Sequence, residues 1–229
     1  MKLLITSGAS RLAGEMARTL SWQHTVRLTD RCAPETGAEV IVSELGHAES
    51  TSQLVRGMGA IVHMAQSGRR LSPTQQLDYQ TRCTYNLLRA AVEEQAPRFI
   101  YLSSLSVMAK YDEDLVVTER WRPVPTTDAS VLACHLGEFI CREFAREKRL
   151  TVVCLRMGEI VWSEDAKEIP TDALGLADAV HAVERALVAP VAHWGLFHIQ
   201  SPVPNARFLT LAAERAMGYT PQFTGRGTR

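Results

Sequence analysis

Short apolar runs alternate along this chain with longer stretches in which apolar residues recur at helical spacing. The runs at 2–6, 24–29, 38–43, 59–64, 98–103 and 151–156 are strand candidates, with a seventh at 195–200. Helical spacing marks 11–21, 49–57, 74–95, 129–148, 172–188 and 207–217. Strands that read as near-continuous apolar runs are buried on both faces, and their alternation with helices is the pattern of a parallel sheet covered on both sides. The run at 38–43 follows the second strand too closely for a full crossover helix. The order predicts a doubly wound, Rossmann-type α/β fold of about seven strands, one domain over 1–229. After about residue 157 the chain carries Pro170, Pro190, Pro202, Pro204 and Pro221 around two helices. That tail reads as a small C-terminal cap on the substrate side, not an independently folding domain.

In such a sheet, ligands sit beyond the carboxyl ends of the strands. The segments to inspect are therefore 7–14, 30–32, 44–46, 64–69, 103–110 and 157–168. The first is the most informative. A strand leads into Ser7-Gly8-Ala9-Ser10-Arg11-Leu12-Ala13-Gly14, a helix follows, and the second strand closes on Asp30. This is how a dinucleotide site is built. Gly8 lets the chain turn tightly, and Gly14 is expected to let the helix pack close to the sheet. The first N–H groups of the helix face a pyrophosphate, and Asp30 accepts hydrogen bonds from the adenosine ribose.

Composition narrows the picture. Twenty-five basic and 25 acidic residues cancel, and no long block of either sign occurs, which gives no electrostatic support for nucleic acid or a membrane surface. No apolar run approaches the ~20 residues that span a bilayer, and the opening run is too short for a signal core. Five scattered cysteines, without metal-ligand spacing, read as reduced thiols in a cytoplasmic protein, and no metal site is expected.

Six short motifs occur in one order: Gly8…Gly14 with Asp30, Glu44-Leu45, Val62-His63-Met64-Ala65, Thr84-Tyr85-Asn86-Leu87-Leu88-Arg89-Ala90-Ala91, Tyr101-Leu102-Ser103-Ser104, and Leu155-Arg156-Met157-Gly158. Together they resemble the extended short-chain dehydrogenase/reductase superfamily, in its NAD-dependent epimerase/dehydratase branch. Within that branch the chain is most similar to uronate dehydrogenases, through Val26-Arg27-Leu28-Thr29-Asp30 and Ala186-Leu187-Val188-Ala189-Pro190. The resemblance implies an oxidoreductase or epimerase acting on a sugar or sugar acid. It implies cofactor contacts at Gly8, Ser10, Arg11, Leu12, Gly14, Asp30, Arg31, Glu44, Leu45, Met64, Ala65, Gln66, Ser103, Met157 and Gly158. It also implies a catalytic serine at Ser104 and a homodimer through helices 74–95 and 129–148, with Leu87, Leu88, Ala91, Phe139 and Phe144 as candidate contacts.

The departures carry as much information. The family's Tyr-x-x-x-Lys falls, anchored on Gly137-Glu138, on Ser130 and Cys134. The only lysines are Lys2, Lys110, Lys148 and Lys167, and none lies four residues after a tyrosine. In the family the phenol moves the substrate proton and the ammonium lowers its pKa. A serine hydroxyl is too weak an acid to replace it, so Ser130 and Cys134 are expected to face the site without performing its chemistry. Arg11 or Leu12 replaces the middle glycine, and Gln80 stands where Asn is usual. Asp30 repels a 2′-phosphate and favours NAD, while Arg11 and Arg31 leave NADP open. Arg156 is placed to bind a substrate carboxylate or to pair locally, and His63 reads as a satisfied core histidine. Asp112-Glu113-Asp114 and Glu164-Asp165 read as solvated loop charges, as do Glu119 and Arg122, which are alternatively within reach of a polar substrate. Trp121 and Trp162 flank the expected cleft. Two alternatives to an enzyme stay open: a non-catalytic redox sensor or regulatory subunit, and a relic that binds nothing tightly.

Overall fold

In the computed structural model, which describes residues 1–33, 39–64, 71–162 and 169–225, seven strands form one parallel sheet. They are β1 (Lys2–Ile5), β2 (Thr25–Asp30), β3 (Val40–Val42), β4 (Ala60–Met64), β5 (Arg98–Ser104), β6 (Thr151–Met157) and β9 (Trp194–Ile199), ordered β3-β2-β1-β4-β5-β6-β9. All seven expected strands are present, Ala38 of the third lying outside the described residues. The strand order reverses between β1 and β4, the crevice where this architecture binds ligands. One apolar layer packs helices α1 (Arg11–Leu20), α6 (Leu176–Val188) and α7 (Leu211–Met217) on one face. The other layer holds α2 (Glu49–Val55), α3 (Pro73–Asp78), α4 (Thr84–Glu93) and α5 (Ala129–Arg146).

Three features were not expected. The stretch 74–95 is not one regular helix: α3 and α4 are joined by a π-helical turn at Tyr79–Cys83. The run 172–188 opens with a strand, β8 (Ala173–Gly175), which pairs with β7 (Glu159–Val161) in a separate two-stranded sheet. Those strands are too short for periodicity to reveal. The tail after residue 157 also divides: β7 and the residue leading into β8 border the cleft, whereas α6, β9 and α7 are built into the main sheet and its covering layer. Among the dimer candidates, Leu87, Leu88 and Ala91 are fully buried in the core and offer nothing to a partner; Tyr85 and Phe139 are the exposed aromatics there.

His63 lies in β4 with no exposure, its ring nitrogens 2.8 Å from Thr6 Oγ1 and 2.9 Å from Thr84 Oγ1. Burial pushes its pKa down to about 3, as it does for His198 on β9. Both are therefore neutral cores of the fold. A neutral buried histidine adds stability above its unfolded pKa, and that contribution is lost as pH falls from about 6.5 towards 3, because only the unfolded chain takes up the proton.

The two fingerprint glycines differ. A Cβ at Gly8 would lie 2.9 Å from Leu28 Cβ and 3.3 Å from the Thr29 backbone, so the turn presses directly on β2. Gly14 has open space beside it, which corrects the expectation of close packing; Ala13 and Met16 face the sheet instead. Gly8→Ala should thus destabilise by about 1–3 kcal/mol through forced repacking, while Gly14→Ala should stabilise by about 0.5–1 kcal/mol through helix propensity; denaturant midpoints measure both. The unfolding free energy from the same titrations should also fall between pH 6 and 4 with a slope approaching about 1.4 kcal/mol per pH unit for each buried histidine. Replacing His63→Gln should make that slope shallower.

Candidate cofactor and substrate cleft

The turn after β1 is held from several sides. Gly8 N–H donates to Thr29 O at 2.9 Å and Ala9 N–H to Asp30 Oδ2 at 3.0 Å, so the carboxylate ending β2 fastens the loop. Ser7 takes a left-handed φ of 56° and its hydroxyl meets Tyr79 OH at 2.9 Å, beside the π-helical turn. Ser10 caps α1, accepting from Ala13 N–H at 3.2 Å. The N–H groups of the first turn at Arg11 and Leu12 have no intrahelical acceptor, and with the helix dipole they favour an anion.

On the β2 side, Asp30 is buried and also accepts from Arg31 N–H at 2.6 Å. Arg31 Nε donates to Glu44 Oε2 at 2.9 Å, and its Nη1 sits 3.8 Å from Asp78. Leu45 is buried with φ 45°, its carbonyl accepting from Asn86 Nδ2 at 3.0 Å. Ala65 and Gln66 lie outside the described residues.

On the other side of α1 opens a cleft of about 580 Å³. Ser10, Arg11 and Leu12 form one lip; Met64, Ser103, Ser104 and Ser106 lie at the strand ends; Ser130, Val131 and Cys134 come from α5. Met157, Gly158, Glu159, Ile160, Trp162 and Asp172 complete the wall. The structure thus brings Ser104, Ser130 and Cys134 together. Ser104 Oγ accepts from Ser106 N–H at 3.1 Å, and Ser130 gives both its hydroxyl and its N–H to Asp128, holding that carboxyl below its usual range. Burial pushes the Cys134 thiol up to about 12, so it is neutral at physiological pH.

Beneath the cleft, Glu138 accepts Arg156 Nε at 2.8 Å on Oε1 and Nη2 at 2.8 Å on Oε2, and Ser103 Oγ donates to Oε1 at 2.6 Å. Arg156 is only 2% exposed. Its fork is spent on Glu138, which corrects the carboxylate-binding alternative, and Ser103 serves the same carboxylate. Glu119 is likewise not a solvated charge: its Oε1 accepts from His198 N–H at 3.0 Å. Trp121 packs edge-on against Tyr111 at 4.8 Å, away from the cleft that Trp162 lines. Glu164 and Asp165 fall outside the described residues.

Sequence reasoning missed Asp172. The residue lines the cleft, burial raises the pKa of its carboxyl, and its carbonyl accepts from Glu159 N–H at 3.0 Å. A Cβ at Gly158 would sit 2.0 Å from that carbonyl, so only glycine fits where β6 hands over to β7. Nothing in the sequence marked Asp172, because it lies in what read as the start of a helix. Gln80, by contrast, sits fully buried and accepts from Tyr101 O–H at 2.5 Å, while Tyr101 fills the space against Gly137.

The strand order, the tight turn onto α1 and the crevice beside it define a Rossmann-type protein. A family model, the NAD dependent epimerase/dehydratase family, matches residues 10–191, and the chain belongs to that family. Its fold is similar to that of uronate dehydrogenase from Agrobacterium tumefaciens, with TM-score 0.83, 20% identity, and 98% of this chain and 85% of that one covered. It is also similar to a short-chain dehydrogenase/reductase superfamily protein with bound NAD, from the same organism (0.82, 19%, 98% and 94%). UDP-N-acetylglucosamine 4-epimerase from Bacillus cereus superposes comparably (0.82, 19%, 98% and 95%). Among curated proteins compared by sequence, none matches.

Removing one partner of the buried pair leaves a charge stranded, so Glu138→Ala should cost about 3–5 kcal/mol. Asp128→Ala, at an exposed helix cap, should cost about 1 kcal/mol. Thermal or urea unfolding of the two variants checks the contrast.

Proposed function

We propose that this chain binds NAD and that its cleft receives a sugar or sugar acid. One observation carries the reading: the amino end of α1 opens onto the cleft on one side, and the buried Asp30 carboxylate ends the neighbouring strand on the other. A dinucleotide laid across that crevice meets an anion site at its centre and a ribose acceptor at one end. Its nicotinamide end then faces Ser104, Ser130 and Cys134. Gly8, Ser10, Leu12, Glu44, Leu45, Met64, Met157 and Gly158 belong to the same binding surface in this reading. Arg31 is engaged by Glu44 and Asp78. A 2′-phosphate would therefore meet Asp30 without a ready cation, which favours NAD over NADP.

When bound, NAD supplies a hydride acceptor; this chain must supply the proton acceptor for the sugar hydroxyl. Ser130 already donates to Asp128, and Cys134 is protonated far above neutral pH. Loss of a positioned acid/base costs about 10²–10⁴ in rate, so turnover is slow in this reading. The neutral Cys134 thiol also favours a second reading, a non-catalytic NAD-dependent sensor or regulatory subunit. Exposed Tyr85 on α4 and Phe139 on α5 suit a homodimer through those helices. Cys83, Cys134, Cys141 and Cys154 are buried free thiols, as suits a reducing, cytoplasmic setting, and among the described residues no helix is long and apolar enough to cross a membrane.

Calorimetric titration with NAD, NADH, NADP and NADPH is the primary test. Heat with the NAD forms, and at least about ten-fold weaker binding of the NADP forms, is expected from one lost or repelled charge contact; silence with all four removes the reading. Installing Ser130→Tyr with Cys134→Lys should raise NAD reduction across a panel of uronates and sugars by about 10²-fold or more. If NAD binds and the double variant stays inactive, the sensor reading stands.

A further inference from the structure

Arg11 occupies the place where the fingerprint spacing calls for a bare glycine, and its side chain does not simply extend into water. Its guanidinium lies over the Trp162 ring, 4.3 Å from the centroid. Arg11 is the first residue of α1, and Trp162 follows directly on β7, so the contact spans the cleft from its phosphate-side lip to its far wall. Both residues are exposed. We propose that Arg11 and Trp162 form a clasp: in the ligand-free protein the guanidinium rests on the indole, and when a dinucleotide enters it transfers to the diphosphate. This rests on the dinucleotide reading above.

The relative strength of two interactions sets the direction. An exposed guanidinium–indole stack is weak, because water competes for the cation. A guanidinium facing phosphate oxygens forms paired, charge-assisted hydrogen bonds, which are stronger and match its planar fork. A diphosphate docked at the first turn of α1 lies beside residue 11. The cation then exchanges a poor partner for a good one, and the two lips of the cleft separate as the ligand seats. Arg11 serves the diphosphate, not a 2′-phosphate, since it lines the nicotinamide-side cleft while Asp30 and Arg31 stand on the β2 side and Arg31 is already paired.

The test is a double-mutant cycle read by calorimetric Kd for both NAD and NADP. Arg11→Ala should weaken binding by about ten-fold, the charge-assisted contact less the stack it gives up. Trp162→Ala should tighten binding by about two- to five-fold, because the competing partner is gone. In the double variant the Trp162 effect should vanish, leaving the Arg11→Ala value. Both cofactors should shift by the same factor. Tighter binding after Arg11→Ala would mean that the arginine merely obstructs the turn, and weaker or unchanged binding after Trp162→Ala would mean that the stack does not compete. Either result overturns the clasp, as does a loss confined to NADP. Wild-type protein that binds while the variants are unresponsive sinks the clasp alone; wild-type protein silent with every dinucleotide sinks the binding reading and the clasp with it. Circular dichroism on these exposed-site variants verifies that they fold.

Discussion

Two opposite charges sit under the floor of the cleft, and the substrate side of the molecule is arranged around them. Neither Glu138 nor Arg156 tolerates burial alone, so each dictates where the other's element must lie. The bidentate contact ties the middle of α5 to the end of β6, and Ser103 adds the end of β5 to the same carboxylate. Ser130, Cys134 and Glu138 are spaced by four and share one face of α5. With Glu138 fixed, the other two are delivered to the cleft wall opposite Ser104. The contact between Gly137 and Tyr101 enforces the same docking sterically, since any side chain there would strike the phenol.

The same docking sets what surrounds the positions of Ser130 and Cys134. The carboxylate one turn below Cys134 is where an ammonium at that position would find its counter-charge, and here Arg156 is the cation that pairs with it. The space above has turned neutral, with a buried thiol and a hydroxyl committed to its own helix cap. Asp172, on the facing wall, has its carboxyl pKa raised by burial, the kind of perturbation that marks a functional-site candidate.

Most of the fold was legible because its strands are apolar on both sides and its helices are long enough for periodicity to register. The seven main strands and the helices α1, α5 and α6 follow that logic. What escaped were features that depend on chain crossing: β7 and β8, three residues each, exist because Gly158 lets Asp172 pass at close range. For Arg156 the sequence left two partners open, since a strand-end arginine looks the same whether it meets a substrate or a glutamate eighteen positions back, and the structure gives the glutamate. The position of Ser130 and Cys134 in the cleft was legible from the family's motif anchored on Gly137-Glu138, together with their four-residue spacing. Gly14 shows the converse, a motif residue whose usual packing reason is absent here.

The last strand of the sheet has a kinetic consequence. β9 pairs with β6 in parallel, but only after the chain has passed through β7, β8 and α6. Parallel pairing of this kind cannot begin until the second strand has been made and its loop closed. Until then β6 presents an open row of amides and carbonyls along Thr151–Met157, an apolar stretch able to template another chain. A chain made from its amino end therefore carries β6 as an unpaired edge until β9 has emerged and paired.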